Sequence, residues 1–371
     1  MKRIVLSGVN LFHMGPIEVY REALQSVAES FGDDYEIVAL VHRKSLFSVP
    51  GVRYIEFPRV RSSWFLRVKF EYFDLRTISR ELNADLWLSM HDVTPNVTAG
   101  RRAVYCHNPS PFYSLRLRDV FYNWGFAAFV LFYGLLYRVN IRKNDVVIVQ
   151  QDWMRREFLH RYSLKNVVVA HASVKVEPGE RDLQDAAGPV QQVYRFFYPA
   201  YPRVFKNVEV ILEAVELLER AAIDGFEVWL TLDATTNRYT RALVGKFKHL
   251  RSVKWLGLLD RTEVLRRYRY ADCLLFPSKL ETWGLPITEF KETGRPMIVA
   301  DLPYAHETVG SYDKVAFFRT SDAKQLATIM EGAIRGQNVF SPAQARPISP
   351  PFAANWQELW NLLLPMPARS E

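Results

Sequence analysis

Short apolar, β-branched runs alternate along this chain with longer stretches whose apolar positions recur every three to four residues. Strands are predicted at Ile4–Ser7, Glu36–Val41, Arg53–Phe57, Leu86–Ser89, Ala103–Cys106, Asp145–Val149 and Val167–Ala170, with amphipathic helices such as Ile17–Ser30 and Trp64–Leu82 between them. The polar segment from Glu177 to Pro189, punctuated by Pro and Gly, reads as a linker. The alternation then restarts. Strands are predicted at Tyr194–Tyr198, Glu227–Leu232, Ser252–Leu256, Cys273–Pro277 and Pro296–Ala300, and helices at Val208–Ala222, Thr240–His249, Arg261–Tyr270 and Pro286–Thr293. This order predicts two α/β domains, each a doubly wound parallel sheet, over residues 1–176 and 191–350 with a linker at 177–190. A final helical stretch within 351–371, rich in Trp and Leu, is expected to pack back on the first domain.

Such sheets bind ligands outside the carboxyl ends of their strands, so residues just past a strand carry the most weight. The richest such segment runs Phe276-Pro277-Ser278-Lys279-Leu280-Glu281-Thr282-Trp283-Gly284-Leu285-Pro286-Ile287-Thr288-Glu289. Gly284 can bring backbone N–H groups close to a ligand, and Pro286 suits the first turn of a helix. A helix start offers unpaired N–H groups to an anion. Glu281 and Glu289 bracket that position, where carboxylates would repel an anion unless they bond sugar or ribose hydroxyls. For two glutamates alone, a capping box at Glu289 and a solvated Glu281 explain the pattern as well.

The whole string resembles the E-x7-E signature of retaining glycosyltransferases of family 4, also called group 1, whose fold is GT-B: two Rossmann-like domains facing across a cleft. The resemblance continues from Glu289 through Pro303, and upstream through Val253–Gly257 and Tyr270–Ser278, so that it covers about residues 190–335. It implies that Glu289 holds the ribose hydroxyls of a nucleotide diphosphate sugar and that Glu281 contacts the donor sugar. The backbone around Thr282, Trp283, Gly284 and Leu285 would meet the sugar and diphosphate. Lys206, with Arg203 before it, matches the family's cation pair on the leaving diphosphate, although the usual Gly-Arg-Leu is absent here. In the first domain the family's Gly-rich loop corresponds to the segment holding Gly15, where Pro16 removes one N–H donor. His107 resembles the family's active-site His. His91 and Asp92 also follow a strand and are assigned, with Arg116 and Arg118, to the acceptor side. The mechanism implied is front-face attack by an acceptor hydroxyl on a hexose, the departing diphosphate taking the proton. No metal or other cofactor is implied, and the chain contains no Asp-x-Asp motif.

Composition narrows the partner. The 371 residues carry a net charge of +8, and residues 1–180 hold 24 Lys and Arg against 18 Asp and Glu. Two cysteines exclude a disulfide scaffold. The chain has no zinc-finger, RNA-recognition or Rossmann dinucleotide signature, which counts against nucleic acid and hydride transfer. Arg59–Phe73 mixes cations with large aromatics, and Val120–Tyr137 is almost wholly apolar with basic residues on both sides. These features suggest a lipid-linked glycan acceptor and an anionic membrane surface. The opening apolar run is too short for a signal peptide. The expectation is therefore a cytoplasmic enzyme, peripheral on the inner face of the plasma membrane, acting in bacterial surface-polysaccharide or lipopolysaccharide assembly. A soluble acceptor, or a catalytically silent nucleotide-sugar-binding subunit, remain as alternatives.

Overall fold

The computed structural model describes residues 2–11, 14–171 and 193–364. The predicted linker 177–190, Phe12, His13 and the tail from Pro365 lie outside these residues. The chain divides into two units. One comprises residues 1–112, 129–173 and 348–371, the other 113–128 and 174–347.

The first unit holds strands β1 (Lys2–Ser7), β2 (Tyr35–Val41), β3 (Val52–Glu56), β4 (Ala84–Ser89), β5 (Ala99–Cys106), β6 (Val146–Val149) and β7 (Val167–Ala170). The second holds β8 (Tyr194–Tyr198), β9 (Phe226–Leu230), β10 (Val253–Trp255), β11 (Cys273–Phe276), β12 (Met297–Ala300), β13 (Tyr312–Phe318) and β14 (Ser341–Ala343). A short β15 (Phe352–Ala353) returns to the first sheet beside β7. The sheet orders are β15-β7-β6-β5-β4-β1-β2-β3 and β10-β9-β8-β11-β12-β13-β14. Among the described residues every pairing is parallel except β13 with β14. Strands buried on both faces explain why these segments read as apolar runs rather than alternations.

Period-two geometry still decides what each strand residue touches. Ile4 and Leu6 of β1 face a core with Tyr20, Leu24 and Val27 of the helix Met14–Phe31, while Val5 faces Phe70, Leu75 and Leu82 on the other side. Trp356, Leu359, Trp360 and Leu363 of the terminal helix Trp356–Leu363 join the first of these cores. Trp360 is fully buried and its indole N–H donates to Ser26 Oγ at 3.2 Å.

Three departures from the sequence pattern matter for the site. The stretch predicted as one helix over Trp64–Leu82 contains a π-turn at Phe70–Asp74 between helices Trp64–Lys69 and Leu75–Leu82. The extra residue rotates Glu71 into the interior. The apolar run Val120–Tyr137 is divided at Asn123, which leaves helical backbone (φ −153°, ψ 78°), into Leu117–Tyr122 and Trp124–Arg138. Finally, Tyr113 and Phe126 pack their rings on Phe205, at 6.2 and 5.4 Å between centroids, which places residues 113–128 in the second unit.

Candidate active site

In each sheet the strand order reverses direction at one point, between β8 and β11 in the second and between β1 and β4 in the first. Loops leaving the carboxyl ends of two such strands diverge and leave room for a ligand. The segments ending in Lys206 and in Gly284 are the loops after β8 and β11.

Backbone bonds join these two loops before any side chain does. The Lys279 N–H donates to Phe205 O at 2.7 Å. Asn207, in left-handed backbone (φ 56°), donates its amide to Pro277 O at 3.2 Å and to Thr320 O at 2.8 Å. The Tyr198 hydroxyl donates to Lys206 O at 2.9 Å. With the loops fastened, Lys206 Nζ lies 2.5 Å from Glu281 Oε1, both side chains largely buried. The ammonium also lies 5.8 Å from the Phe276 ring centroid. Burial and then the Glu281 charge raise the Tyr198 and Tyr304 hydroxyls well above their ordinary value, so both remain hydrogen-bond donors.

Gly284 opens the helix Leu285–Lys291 in left-handed backbone (φ 87°), with Pro286 in the first turn. A side chain there would be strained, and its Cβ would lie 3.4 Å from Ile287 and Phe276. Trp283 is held by its indole N–H on Thr288 Oγ1 at 2.9 Å and by the Thr308 hydroxyl on its carbonyl. Thr282 is half-buried beside it. Glu289 is 5% exposed. Its Oε1 accepts from Arg261 Nη1 at 2.6 Å and its Oε2 from the Tyr268 hydroxyl at 3.0 Å. A carboxylate has about four acceptor positions, so two remain for a ligand. Arg203 caps the turn Val204–Lys206, exposed, with its guanidinium 5.7 Å from the Tyr201 ring. The second unit therefore pairs Lys206 with Glu281 on two adjoining loops, with the 282–285 backbone next in sequence and Glu289 on the helix that follows, and Arg203 exposed three residues before Lys206.

At the switch point of the first sheet, His91 Nδ1 lies 3.0 Å from Ser7 O and Nε2 lies 2.7 Å from Glu71 Oε1. A carbonyl oxygen only accepts, so Nδ1 donates to Ser7 O. The Asn10 amide donates to the same Glu71 oxygen at 2.8 Å. Asp92, in left-handed backbone (φ 71°), is a second hub. Its Oδ1 accepts from the N–H groups of His107 (2.7 Å) and Asn108 (3.0 Å) and from the Tyr137 hydroxyl (2.9 Å). Its Oδ2 stands 3.7 Å from His107 Nε2. Asp92 thus fixes the loop carrying His107.

Of the other residues expected here, Gly15 sits in the first turn of the helix Met14–Phe31 with open space where a Cβ would point. Arg116 is exposed and caps the helix Leu117–Tyr122, and Arg118 is that helix's second residue. Both belong to the second unit, whereas His91 and Asp92 belong to the first. Sequence reasoning missed Arg261, Tyr268, Glu71 and Asn10. Arg261 did leave a signal, because a cation in the first turn of a helix opposes the helix dipole and needs a partner elsewhere. Glu71 left one too, a lone carboxylate among Phe70, Tyr72 and Phe73.

The Lys206–Glu281 pair on the loops after β8 and β11, with Glu289 on the helix that follows, can be compared with known proteins. Residues 184–346 match the family model of the glycosyl transferases, group 1. Arg203, Lys206, Glu281, the 282–285 backbone and Glu289 all lie within this matched segment. Solved structures extend the likeness to both units. Sucrose-phosphate synthase from Thermosynechococcus elongatus is 14% identical with a TM-score of 0.61 over 90% of each chain. WaaG, a glycosyltransferase involved in lipopolysaccharide biosynthesis, is 13% identical with a TM-score of 0.61, again over 90% of each chain. HepE from Anabaena, solved in complex with UDP-glucose, is 13% identical with a TM-score of 0.57 over 98% of this chain and 95% of that one. At these identities the likeness is one of fold, that of GT-B glycosyltransferases. No curated protein matches the chain by sequence.

Proposed function

We propose that this protein is a retaining, metal-independent hexosyltransferase of family 4. It would move a hexose from a nucleotide diphosphate sugar to a glycan acceptor, lipid-linked, in bacterial surface-polysaccharide assembly. The observation that carries this reading is the pairing of Lys206 with Glu281 across the two switch-point loops, with Glu289 on the helix that follows, all within the segment that matches the group 1 model. The names of WaaG and of HepE with UDP-glucose fit the acceptor class and the donor.

In this reading the two free acceptor positions of Glu289 take the ribose hydroxyls, with Arg261 and Tyr268 fixing the carboxylate. Lys206 turns from Glu281 toward the diphosphate, whose charge grows as the glycosidic bond breaks, and Arg203 adds a second cation. Glu281 then accepts hydroxyls of the donor sugar. The acceptor oxygen forms its bond to the anomeric carbon as the bond to the diphosphate breaks. The acceptor proton passes to the departing phosphate oxygen. His107, set by Asp92, is assigned to the reacting sugar, and His91 with Asp92 to the acceptor side. The two cations supply the positive charge a metal supplies elsewhere. The site of action is the cytoplasmic face of the plasma membrane.

The test is donor binding followed by transfer. Thermal shifts against GDP-, UDP- and dTDP-sugars should single out one nucleotide, and Glu281→Ala and Glu289→Ala should each abolish transfer while retaining a native circular dichroism spectrum. Full transfer activity in both variants overturns the reading.

A further inference from the structure

The first unit exposes two apolar surfaces that share a ring contact. On the helix Trp124–Arg138, Val130, Tyr133, Leu136 and Tyr137 point inward. The outward positions Leu131 and Leu135 are also apolar and are 68% and 62% exposed. A helix on the surface of a soluble domain turns polar residues outward, and this one does not. Beside it, on the helix Trp64–Lys69, Phe65 is 76% exposed and Trp64 and Val68 are exposed too. Trp64 meets Phe132 edge to face, with ring centroids 5.3 Å apart, so the two helices present one continuous apolar surface.

Charge indicates what covers it. The stretches 59–70 and 124–144 contain Arg59, Arg61, Arg67, Lys69, Arg138, Arg142 and Lys143, and no Asp or Glu. All of these but Arg67 are exposed. Lys69 is paired with Asp74 at 2.6 Å, and an apolar surface edged mostly by cations suits the boundary of an anionic bilayer. There the rings and leucines enter the acyl region, and the cations meet the phosphate headgroups. A second copy of the chain would set these same cations against each other.

By length and composition the segment Trp124–Lys143 could cross a membrane. Its packing argues otherwise. The regular helix ends at Arg138, and Asn140 turns left-handed (φ 60°). A fifteen-residue helix is about 22 Å long, short of a hydrocarbon core of about 30 Å. Its inner face is bound into the protein, with Tyr137 hydrogen-bonded to Asp92 and Tyr133 packed with the β5 and β6 side chains. We propose that the helix lies in the plane of the membrane, with Phe65, Leu131 and Leu135 inserted and Arg138, Arg142 and Lys143 on the headgroups. This surface deepens the lipid-linked acceptor of the proposed function and rests on that reading for its purpose. Vesicle binding is measured without donor or acceptor, so either idea can fail alone.

The purified full chain is spun with phosphatidylcholine vesicles, with and without phosphatidylglycerol. The protein should partition to the phosphatidylglycerol vesicles, and added salt should weaken the binding. The triple variant Phe65→Ser, Leu131→Ser, Leu135→Ser should lower the partition coefficient about tenfold or more. Arg138→Gln with Arg142→Gln and Lys143→Gln should remove the preference for phosphatidylglycerol. Unchanged circular dichroism and melting temperature show that both variants are folded. Failure of the parent protein to bind phosphatidylglycerol vesicles overturns the proposal, as does a triple serine variant that binds equally well. A parent protein that avoids vesicles but sediments as a dimer, split by the serine variant, overturns it in favour of a contact between copies.

Discussion

Lys206 and Glu281 stand 75 positions apart in sequence, yet Nζ and Oε1 lie 2.5 Å apart because Lys279 and Asn207 fasten one loop to the other. Each charge shields the other from the cost of burial, and breaking such a pair leaves one charge uncompensated. Lys206→Met should therefore lower transfer about 10²- to 10³-fold, the scale for losing one preorganised donor to a developing charge. It should also lower the melting temperature. The double variant Lys206→Met, Glu281→Gln should recover part of that temperature while remaining inactive. Melting curves for the singles and the double test this, and strictly additive losses would show that the pair is not coupled.

Glu289 behaves differently because its partners are unequal: Tyr268 is buried, whereas the Arg261 side chain is 60% exposed. Burial and then the Glu289 charge hold the Tyr268 hydroxyl well above its ordinary value. Glu289→Ala leaves that hydroxyl unpaired in the interior, at about 1–3 kcal/mol. Glu289→Gln keeps an acceptor for Tyr268. The glutamine variant should melt near the parent protein yet raise the donor KM more than it lowers kcat, and steady-state kinetics with the donor varied separate the two. Equal KM values would remove Glu289 from donor binding.

Gly284 tests how far backbone shape sets the site. At φ 87° an alanine is strained by about 1–2 kcal/mol, and its methyl would press on Ile287 and Phe276. Gly284→Ala should lower stability by that amount and reduce donor affinity, because it re-aims the backbone between Glu281 and Glu289. Calorimetry and donor titration check both effects. Native affinity would show that the turn is only a connector.

What the sequence disclosed was what local rules govern. The β-branched runs marked the strands from β1 to β12, and the order Glu281, Gly284, Pro286, Glu289 marked a loop and helix start. Contacts set by tertiary packing stayed hidden. Nothing local told that a π-turn would bury Glu71 against His91, or that Asn123 would divide an apolar run. Tyr312–Phe318 and Phe352–Ala353 were not read as strands. The first mixes charges into its exposed end, and the second is two residues long, too short for any period to register.

Glu71 offers a test in the first unit. It holds both Asn10, just after β1, and His91, just after β4. Glu71→Ala should unpair both and destabilise the protein by about 2–5 kcal/mol. Glu71→Gln retains bonding capacity, so the fold should survive. If the carboxylate serves to orient His91, kcat in the Gln variant falls while donor KM holds. A change in donor KM without one in kcat would contradict that role.

The last prediction concerns pH. Glu36 on β2 accepts from Arg53 at 2.9 Å and from Arg3 at 2.7 Å. These hydrogen bonds, Arg53 first, hold its carboxyl below the ordinary glutamate value. A depressed value means that the folded chain resists protonation more than the unfolded one. The unfolded state then binds more protons between the two values, so stability rises with pH there. The contribution is complete above the unfolded glutamate value, near 4.5. It is lost as pH falls through the folded one. Because Arg53 is more than half exposed, the screened pair should contribute only about 0.5–1 kcal/mol. Melting temperatures of the parent protein and of Glu36→Gln should therefore differ by a constant amount at neutral pH and converge as the pH falls from 4.5 through the lower folded value. A gap that persists unchanged into acid would mean that the variant acts through packing and not through charge.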